Sequence, residues 1–237
     1  AKIRDAVLPG ASFFDEKFFV CDVVGTMPDD LVGWIESGAA LEQFFVYNKD
    51  GVTLNGSKKT LHAYLAACLE HKGKVPIGAD QAVMLKKMVA NLLKMPFGLH
   101  SAGDLLSIAE FEIPLTWERD GIEKKALLDV LIRPPAGPVI PIDLKSTANQ
   151  QQFRGMMRDK YWIQQMAYTE GCREVYGASE EMVFFVAMKE APHLAWAAGI
   201  DDDSLPLART KYRELCEDYA EWEGAGRQPI GHRPFKS

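Results

Sequence analysis

The chain has 237 residues, of which 47% are hydrophobic and 25% charged, so it is long enough for one sizeable globular domain. No apolar run approaches the ~18 residues of a membrane span, and no signal-peptide core begins the sequence. We therefore expect a cytoplasmic protein without membrane attachment. The formal net charge of −6 argues against non-specific coating of nucleic acid, but it allows a local basic groove on an acidic exterior.

The first hundred residues carry mainly helical patterns. An extended segment and three helices are predicted, at residues 13–24, 28–47, 57–71 and 80–95. Ser57 is expected to cap the second helix, and Pro96 to end the third. We assign residues 1–103 to a mainly helical N-terminal part of a single domain that spans residues 1–237.

The pattern changes after Gly103, where strands begin. Three strands are predicted first, at 107–117, 122–133 and 139–145. A helical segment at 150–171, with a break near Gly155, is followed by strands at 182–188 and 193–200 and a helix at 205–223. This order predicts an α/β fold with a central mixed sheet flanked by helices. Residues 104–200 would form its core, and 201–237 a C-terminal helix and tail.

The four cysteines are widely spaced and form no CxxC pair, which argues against a structural zinc site. We expect most of them to be buried and reduced. They are Cys21, Cys68, Cys172 and Cys216.

Two aspartates lie in predicted strands that are otherwise apolar. Asp143 and Lys145 follow the apolar run 139–142, and alternation along a strand places both on one face. The same acid-x-lysine spacing occurs elsewhere in the chain, so the tripeptide alone is weak. Fourteen residues earlier, Asp129 interrupts a second apolar run, where an unpaired carboxylate would carry a large desolvation cost.

Two half-buried carboxylates on neighbouring strands repel each other unless a cation lies between them. Oxygen ligands favour Mg²⁺, for which Mn²⁺ can substitute, and Lys145 would then hold or help deprotonate an attacking water. The alternative is an ion pair between Asp143 and Lys145, with Asp129 bonded to the backbone. The two strands alone support both interpretations equally.

The helical segment that follows favours the first interpretation. Tyr161, Gln164, Gln165 and Tyr168 share one face by i, i+3, i+4 and i+7 spacing, and two arginines extend it upstream. Amide, phenol and guanidinium groups suit a nucleic-acid strand beside a metal site. A solvated polar face is the alternative for the arginines. The predicted DNA-binding set is Arg154, Arg158, Tyr161 and Gln164.

Asp129, the stretch 143–147 and the stretch 161–168 together resemble the PD-(D/E)XK exonucleases of the RecE type, a group related to the RecB-like nuclease domains. The resemblance covers roughly residues 5–190. It implies a restriction-endonuclease-like core. Its implied site residues are Asp129 and Asp143 as metal ligands, Lys145 as the catalytic lysine, and Gln164 and Tyr168 as a QxxxY element beside them.

Glu112 matches an acid that precedes an aromatic strand end in such enzymes, and a role as an outer metal ligand is weighed against a surface salt bridge. The family also uses a His or Glu from an upstream helix, for which this chain offers no match. The five histidines lie downstream of that place, at His62, His71, His100, His193 and His232.

The resemblance implies a Mg²⁺-dependent exonuclease that degrades one strand of linear double-stranded DNA from its 5′ end, in a bacterial or phage-infected cell. Its implied partners are DNA ends and a single-strand annealing protein of phage-type recombination, and its implied assembly is a homo-oligomeric ring. A related endonuclease or repair nuclease is the first alternative. A non-catalytic DNA-binding or assembly protein that keeps the fold is the second.

Overall fold

The computed structural model describes residues 18–21, 45–47, 49, 54–71 and 74–227. The chain divides into two compact units, Ala1–Ala90 and Asn91–Ser237, and its assignment to a single domain remains a prediction. Most of the predicted elements at 13–24 and 28–47 lie outside the described residues, but residues 45–47 are not helical. Within the described part, no helix is long and apolar enough to cross a membrane.

Among its described residues, the first unit contains a pair of short parallel strands, one helix and most of a second. β1 (Phe18–Val20) pairs with β2 (Val75–Ile77). α1 (Lys59–Glu70) follows a 3₁₀ turn at Gly56–Lys58. The side chains that α1 buries recur at helical spacing: His62, Tyr64, Leu65 and Cys68.

Ser57 does not cap this helix, so that prediction was wrong. The backbone N–H of Ser57 instead donates to the Asn55 side chain at 2.9 Å, because Asn55 precedes the 3₁₀ turn that comes first. α2 runs over Ala79–Lys94 and stops before Pro96 as predicted, since proline has no N–H to continue a helix.

The second unit opens with a small hairpin and a short helix. β3 (Pro96–Phe97) and β4 (His100–Ser101) are antiparallel, and α3 (Ala102–Ser107) follows directly. Ser101 and Asp104 form a reciprocal capping box at the start of α3, which satisfies backbone donors that the first helical turn leaves free.

A five-stranded mixed sheet forms the centre of the second unit, with its strands in chain order across the sheet. The strands are β5 (Glu110–Arg119), β6 (Ile122–Ile132), β7 (Ile140–Thr147), β8 (Val183–Met188) and β9 (Ala195–Ala198). Only the β7–β8 pair is parallel among these neighbours, because helices connect those two strands. The predicted strands and the predicted α/β fold with a restriction-endonuclease-like core are confirmed.

The connection between β7 and β8 is helical but not uniform. It consists of α4 (Gln150–Met156), a π-helical turn (Met157–Tyr161) and α5 (Trp162–Tyr176). The break predicted near Gly155 is not found there, because Gly155 is helical and the π-helical turn begins two residues later. The last helix, α6, covers Leu205–Gly224.

α5 packs tightly against the sheet. A Cβ added at Gly171 would lie 2.8 Å from the ring of Trp117, so only glycine fits this approach. A buried cluster surrounds the contact: Leu115, Trp117, Leu128, Leu131 and Cys172. As predicted, the cysteines are free thiols, and all but the half-buried Cys216 are buried.

Candidate functional site

The two predicted aspartates lie opposite each other on adjacent strands. Val130 pairs with Ile142, and one further step of the same register brings Asp129 opposite Asp143. The backbone ladder ends there, and the backbone N–H of Leu144 donates to Asp129 Oδ2 at 2.9 Å. A side-chain carboxylate therefore takes the place of a main-chain acceptor where β6 and β7 part.

Asp143 is almost fully buried, with 3% of its surface exposed. Its Oδ1 accepts a hydrogen bond of 2.6 Å from Gln164 Nε2, and its Oδ2 forms an ion pair with Lys145 Nζ. Among the described residues, no group makes an aligned hydrogen bond to that Oδ2. Burial raises the pKa of Asp143 above its usual range, and the charge of Asp129 adds to the rise although Lys145 and Gln164 oppose it.

Lys145 lies on the same face of β7 as Asp143, as alternation predicted. Its side chain keeps 19% of its surface exposed. Nζ lies 5.1 Å from the ring centroid of Tyr161 and 5.8 Å from that of Phe184. The ammonium group is therefore bounded by a carboxylate and two aromatic faces.

The predicted polar face of the helix divides in the structure. Gln164 reaches Asp143, and Tyr168 lies near it, where burial and the Asp143 charge raise the pKa of the tyrosine while a hydrogen bond from Gln164 opposes the rise. Gln165 does not join them, since it is 1% exposed and accepts from the Ile200 N–H at 2.9 Å. The interpretation that Gln165 shares the site face was therefore wrong.

Glu112 lies in the same row of the sheet as the aspartates. Phe111 pairs with Val130 and Ile113 with Leu128, so this register brings Glu112 opposite Asp129. Its backbone has a φ of 52°, unusual for a residue other than glycine, and its side chain is exposed. Its role as an outer ligand stays a prediction. Its neighbour Glu110 forms an ion pair with Arg133.

Asp129 and Asp143 supply the buried carboxylate oxygens of the site. Among the described residues, no three His, Cys, Asp or Glu side chains gather into a metal-binding group. His62 is engaged elsewhere, because its Nε2 accepts from the Val46 N–H at 3.3 Å. Two carboxylates nevertheless fit Mg²⁺, which commonly binds one or two protein carboxylates and fills its shell with waters and phosphate.

Arg154 lies in α4 and Arg158 in the π-helical turn, upstream of Gln164. Both are exposed, and Arg158 hydrogen-bonds its neighbour Asp159 at 3.0 Å. They line an open groove of about 1490 Å³ whose other walls carry Trp162, Trp196 and acidic residues of α6. The charge of this groove is mixed, so their DNA-binding role stays a prediction.

The sequence reasoning missed a further buried carboxylate, Glu170, which is 8% exposed. Four side chains donate to it or pair with it: Trp117, Arg119, Lys124 and Tyr212. Its partners lie on β5, β6 and α6, at 42 to 53 residues from it in sequence. No local pattern signals such a network; only the helical position of a glutamate next to Gly171 hints at burial.

Comparisons with known proteins place this chain in a family. A family model described as a PDDEXK-like domain of unknown function (DUF3799) matches residues 33–231. Among solved structures, the chain is similar to a "Putative exonuclease" of Eubacterium rectale, with 15% identity, a TM-score of 0.43 and coverage of 90% of this chain and 80% of that one. It is also similar to a protein named SSO0001, with 16% identity, a TM-score of 0.30 and 67% coverage of each chain. A comparison with curated proteins finds no significant match.

Proposed function

The chain belongs to the PDDEXK-like family DUF3799, and on this premise we propose that it is a metal-dependent deoxyribonuclease whose reaction centre is Asp129, Asp143 and Lys145. The observation that carries the proposal is the register that brings two buried aspartates side by side, with a lysine on the same face as one of them. The two negative charges oppose each other, since the charge of Asp129 adds to the raised pKa of Asp143, and a bound cation would relieve this repulsion.

The chemistry of the donors supports a hard divalent cation, and we propose Mg²⁺ with Mn²⁺ as a substitute. When bound by Asp129 and Asp143, the ion would polarise a phosphoryl oxygen and acidify a water molecule. A cation beside Asp143 is favourable, because the raised pKa shows that burial disfavours the charge of this carboxyl by more than Lys145 and Gln164 offset.

The remaining residues orient these groups. Gln164 fixes one oxygen of Asp143 by its hydrogen bond, so the carboxylate cannot rotate freely. Lys145 balances negative charge at the reacting phosphorus and holds, or helps to deprotonate, the attacking water. Tyr168, whose pKa is raised by burial and by Asp143, stays neutral near pH 7 and can donate a hydrogen bond.

The substrate we propose is the end of linear double-stranded DNA, degraded from 5′ to 3′ to leave a single strand for an annealing protein in phage-type recombination. This finer assignment, with a ring-shaped homo-oligomer in the cytoplasm, rests on the sequence resemblance. A related endonuclease or repair nuclease is distinguished from it by the cleavage of a covalently closed circle.

A degradation assay tests the proposal directly. Linear and covalently closed duplexes, labelled at either end where an end exists, are incubated with the wild type and with Asp143→Ala and Lys145→Ala, in Mg²⁺, Mn²⁺ or EDTA. We expect the wild type to degrade only the linear duplex, in the presence of either ion, and both variants to lose about 10³-fold in rate.

The chain supplies matched controls for this assay. Glu123 and Lys125 repeat the acid-x-lysine spacing on β6, and both side chains are exposed. Glu123→Ala and Lys125→Ala remove the same charges without touching the site, so we expect wild-type rates. Equal degradation by the wild type and the two site variants would contradict the proposal, and so would activity in EDTA.

A further inference from the structure

The ammonium group of Lys145 is placed by aromatic faces as well as by a carboxylate. Nζ lies over the ring of Tyr161 at 5.1 Å and over that of Phe184 at 5.8 Å. A cation within about 6 Å of a ring centroid is attracted by the negative face of the ring. These contacts use no hydrogen-bond acceptor, so they leave ammonium N–H groups available for water or phosphate.

The Tyr161 ring is itself firmly held. It packs on Phe184 with a centroid distance of 5.4 Å and on Phe153 with one of 5.6 Å. Phe153 also meets Trp196 edge-on at 5.8 Å, and both Phe153 and Phe184 are buried. The ring therefore belongs to a packed cluster and cannot rotate away without disturbing it.

Backbone geometry links this ring to the carboxylate. Tyr161 closes the π-helical turn, and Gln164 follows three residues later in the first turn of α5. The two side chains reach opposite partners of one ion pair, since Tyr161 contacts Lys145 while Gln164 donates to Asp143. Phe184 pairs with Asp143 across β7 and β8, so the second ring comes from the adjacent strand.

We propose that Tyr161 is a positioning residue for Lys145, and that its ring face, rather than its hydroxyl, is the functional group. A flexible lysine stem held by Asp143 alone would let the ammonium settle over the carboxylate. The two ring faces restrain it at a fixed point beside the carboxylate instead. This inference rests on the proposed function, because it gives Lys145 a part in the reaction, and it replaces the expectation that Tyr161 serves by contacting DNA.

Three substitutions separate the ring from the hydroxyl. Tyr161→Phe keeps the ring, whereas Tyr161→Met fills similar space without one, and Tyr161→Leu serves if the methionine variant fails to fold. We expect Tyr161→Phe to retain both kcat and KM. We expect the ringless variant to lose about tenfold in kcat, equivalent to about 1.4 kcal/mol, with KM unchanged. A raised KM in Tyr161→Phe would instead assign the hydroxyl to DNA and overturn the proposal.

A spectroscopic measurement tests the position of Lys145 without DNA or metal. Lysines of the native protein are reductively ¹³C-methylated, which keeps their charge, and the Lys145 signal is identified by its loss in Lys145→Arg. Ring currents from Tyr161 and Phe184 should shift this signal upfield in the wild type and in Tyr161→Phe. In the ringless variant it should move towards the other lysine signals.

A second cation–π pair supplies the control. Arg133 lies over the ring of Tyr176 at 4.5 Å, away from the aspartates. Tyr176→Met removes the same kind of contact and should change neither kcat nor the Lys145 signal. An unshifted Lys145 signal in the wild type, or one that the ringless variant leaves in place, overturns the proposal. If the wild type degrades no DNA, the proposed function fails while the spectrum still decides where Lys145 lies.

Discussion

Asp143 and Glu170 are both buried carboxylates of the second unit, yet their surroundings differ sharply. Glu170 is surrounded by donors, and hydrogen bonds from Lys124, Trp117 and Tyr212 outweigh burial and lower its pKa. Asp143 meets one ammonium and one amide, with a second carboxylate nearby, and burial raises its pKa. Burial acts on both groups in the same direction, but Asp143 is the more deeply buried and has fewer donors around it than Glu170.

Glu170 stabilises the fold, whereas the surroundings of Asp143 are those of a functional group. Glu170 joins β5, β6, α5 and α6 through its partners, and its charge is fully compensated. Asp143 is a buried carboxyl whose pKa is raised beside a second acid, which is a common feature of functional sites. Substitution of Asp143 should therefore reduce activity, whereas substitution of Glu170 should reduce stability.

Asp143→Asn should give the largest effect, a loss of about 10³-fold in the rate of DNA degradation in Mg²⁺. The amide keeps the shape of the side chain but removes the charge that would bind a cation. Rates on an end-labelled duplex measure the loss, and thermal unfolding shows whether the variant is folded. Retention of more than a tenth of the wild-type rate would remove Asp143 from the reaction centre.

Glu170→Gln should have the opposite profile. Loss of the charge leaves Arg119 and Lys124 without their shared anion, and breaking such a buried pair costs about 3 kcal/mol of unfolding free energy. The activity of the folded fraction should stay within about twofold of the wild type, because Glu170 does not touch the aspartates. Urea denaturation and the same rate assay provide both numbers, and unchanged stability would show that the network is dispensable.

Metal binding should stabilise the protein through one carboxylate and not the other. At an Mn²⁺ concentration about 100 times its Kd, linkage predicts about 2.7 kcal/mol of added stability. We expect this gain in the wild type and in Glu170→Gln, and its absence in Asp143→Asn. Melting curves with Mn²⁺ and with EDTA measure it, and an equal gain in all three proteins would place the ion elsewhere.

The smallest effect is the dependence of metal-free stability on pH. The folded state holds the Asp143 proton more tightly than the unfolded chain, so the wild type should lose stability relative to Asp143→Asn as pH rises above 3.8. Glu170 acts in the reverse sense, because its contribution is complete above pH 4.5 and is lost as pH falls through its lower folded pKa. Melting temperatures are measured in EDTA between pH 3 and 7. The wild type should lose stability relative to Asp143→Asn as pH rises, and it should gain stability relative to Glu170→Gln.

Sequence periodicity was sufficient for much of the fold and of the site. Strand alternation placed Asp143 and Lys145 on one face, and the apolar runs around Asp129 and Asp143 located the two strands that hold them. Both inferences depend on local geometry, which a sequence pattern encodes directly. The position of Gln164 and Tyr168 beside the carboxylates came instead from the resemblance to the PD-(D/E)XK exonucleases.

The wrong predictions concern the direction of a side chain around a helix axis, the residue at which a helix begins, and contacts between residues far apart in sequence. Gln164 and Gln165 are adjacent in α5, so their side chains point about 100° apart around the helix axis, and the sequence spacing wrongly grouped them on one face. Asn55 displaced Ser57 as a cap because a 3₁₀ turn precedes α1. The Glu170 network joins residues more than forty positions apart, and periodicity carries no information about such contacts.

The bond from the Leu144 N–H to Asp129 has a practical consequence. Most protected amide protons of a sheet report on opening of the main chain, but this one is shielded by an ionisable side chain. Its exchange with deuterated solvent should respond whenever Asp129 turns towards another partner, even if the strands stay paired. The exchange rate of this one amide in β7 therefore reports whether Asp129 has bound another partner, without any attached probe.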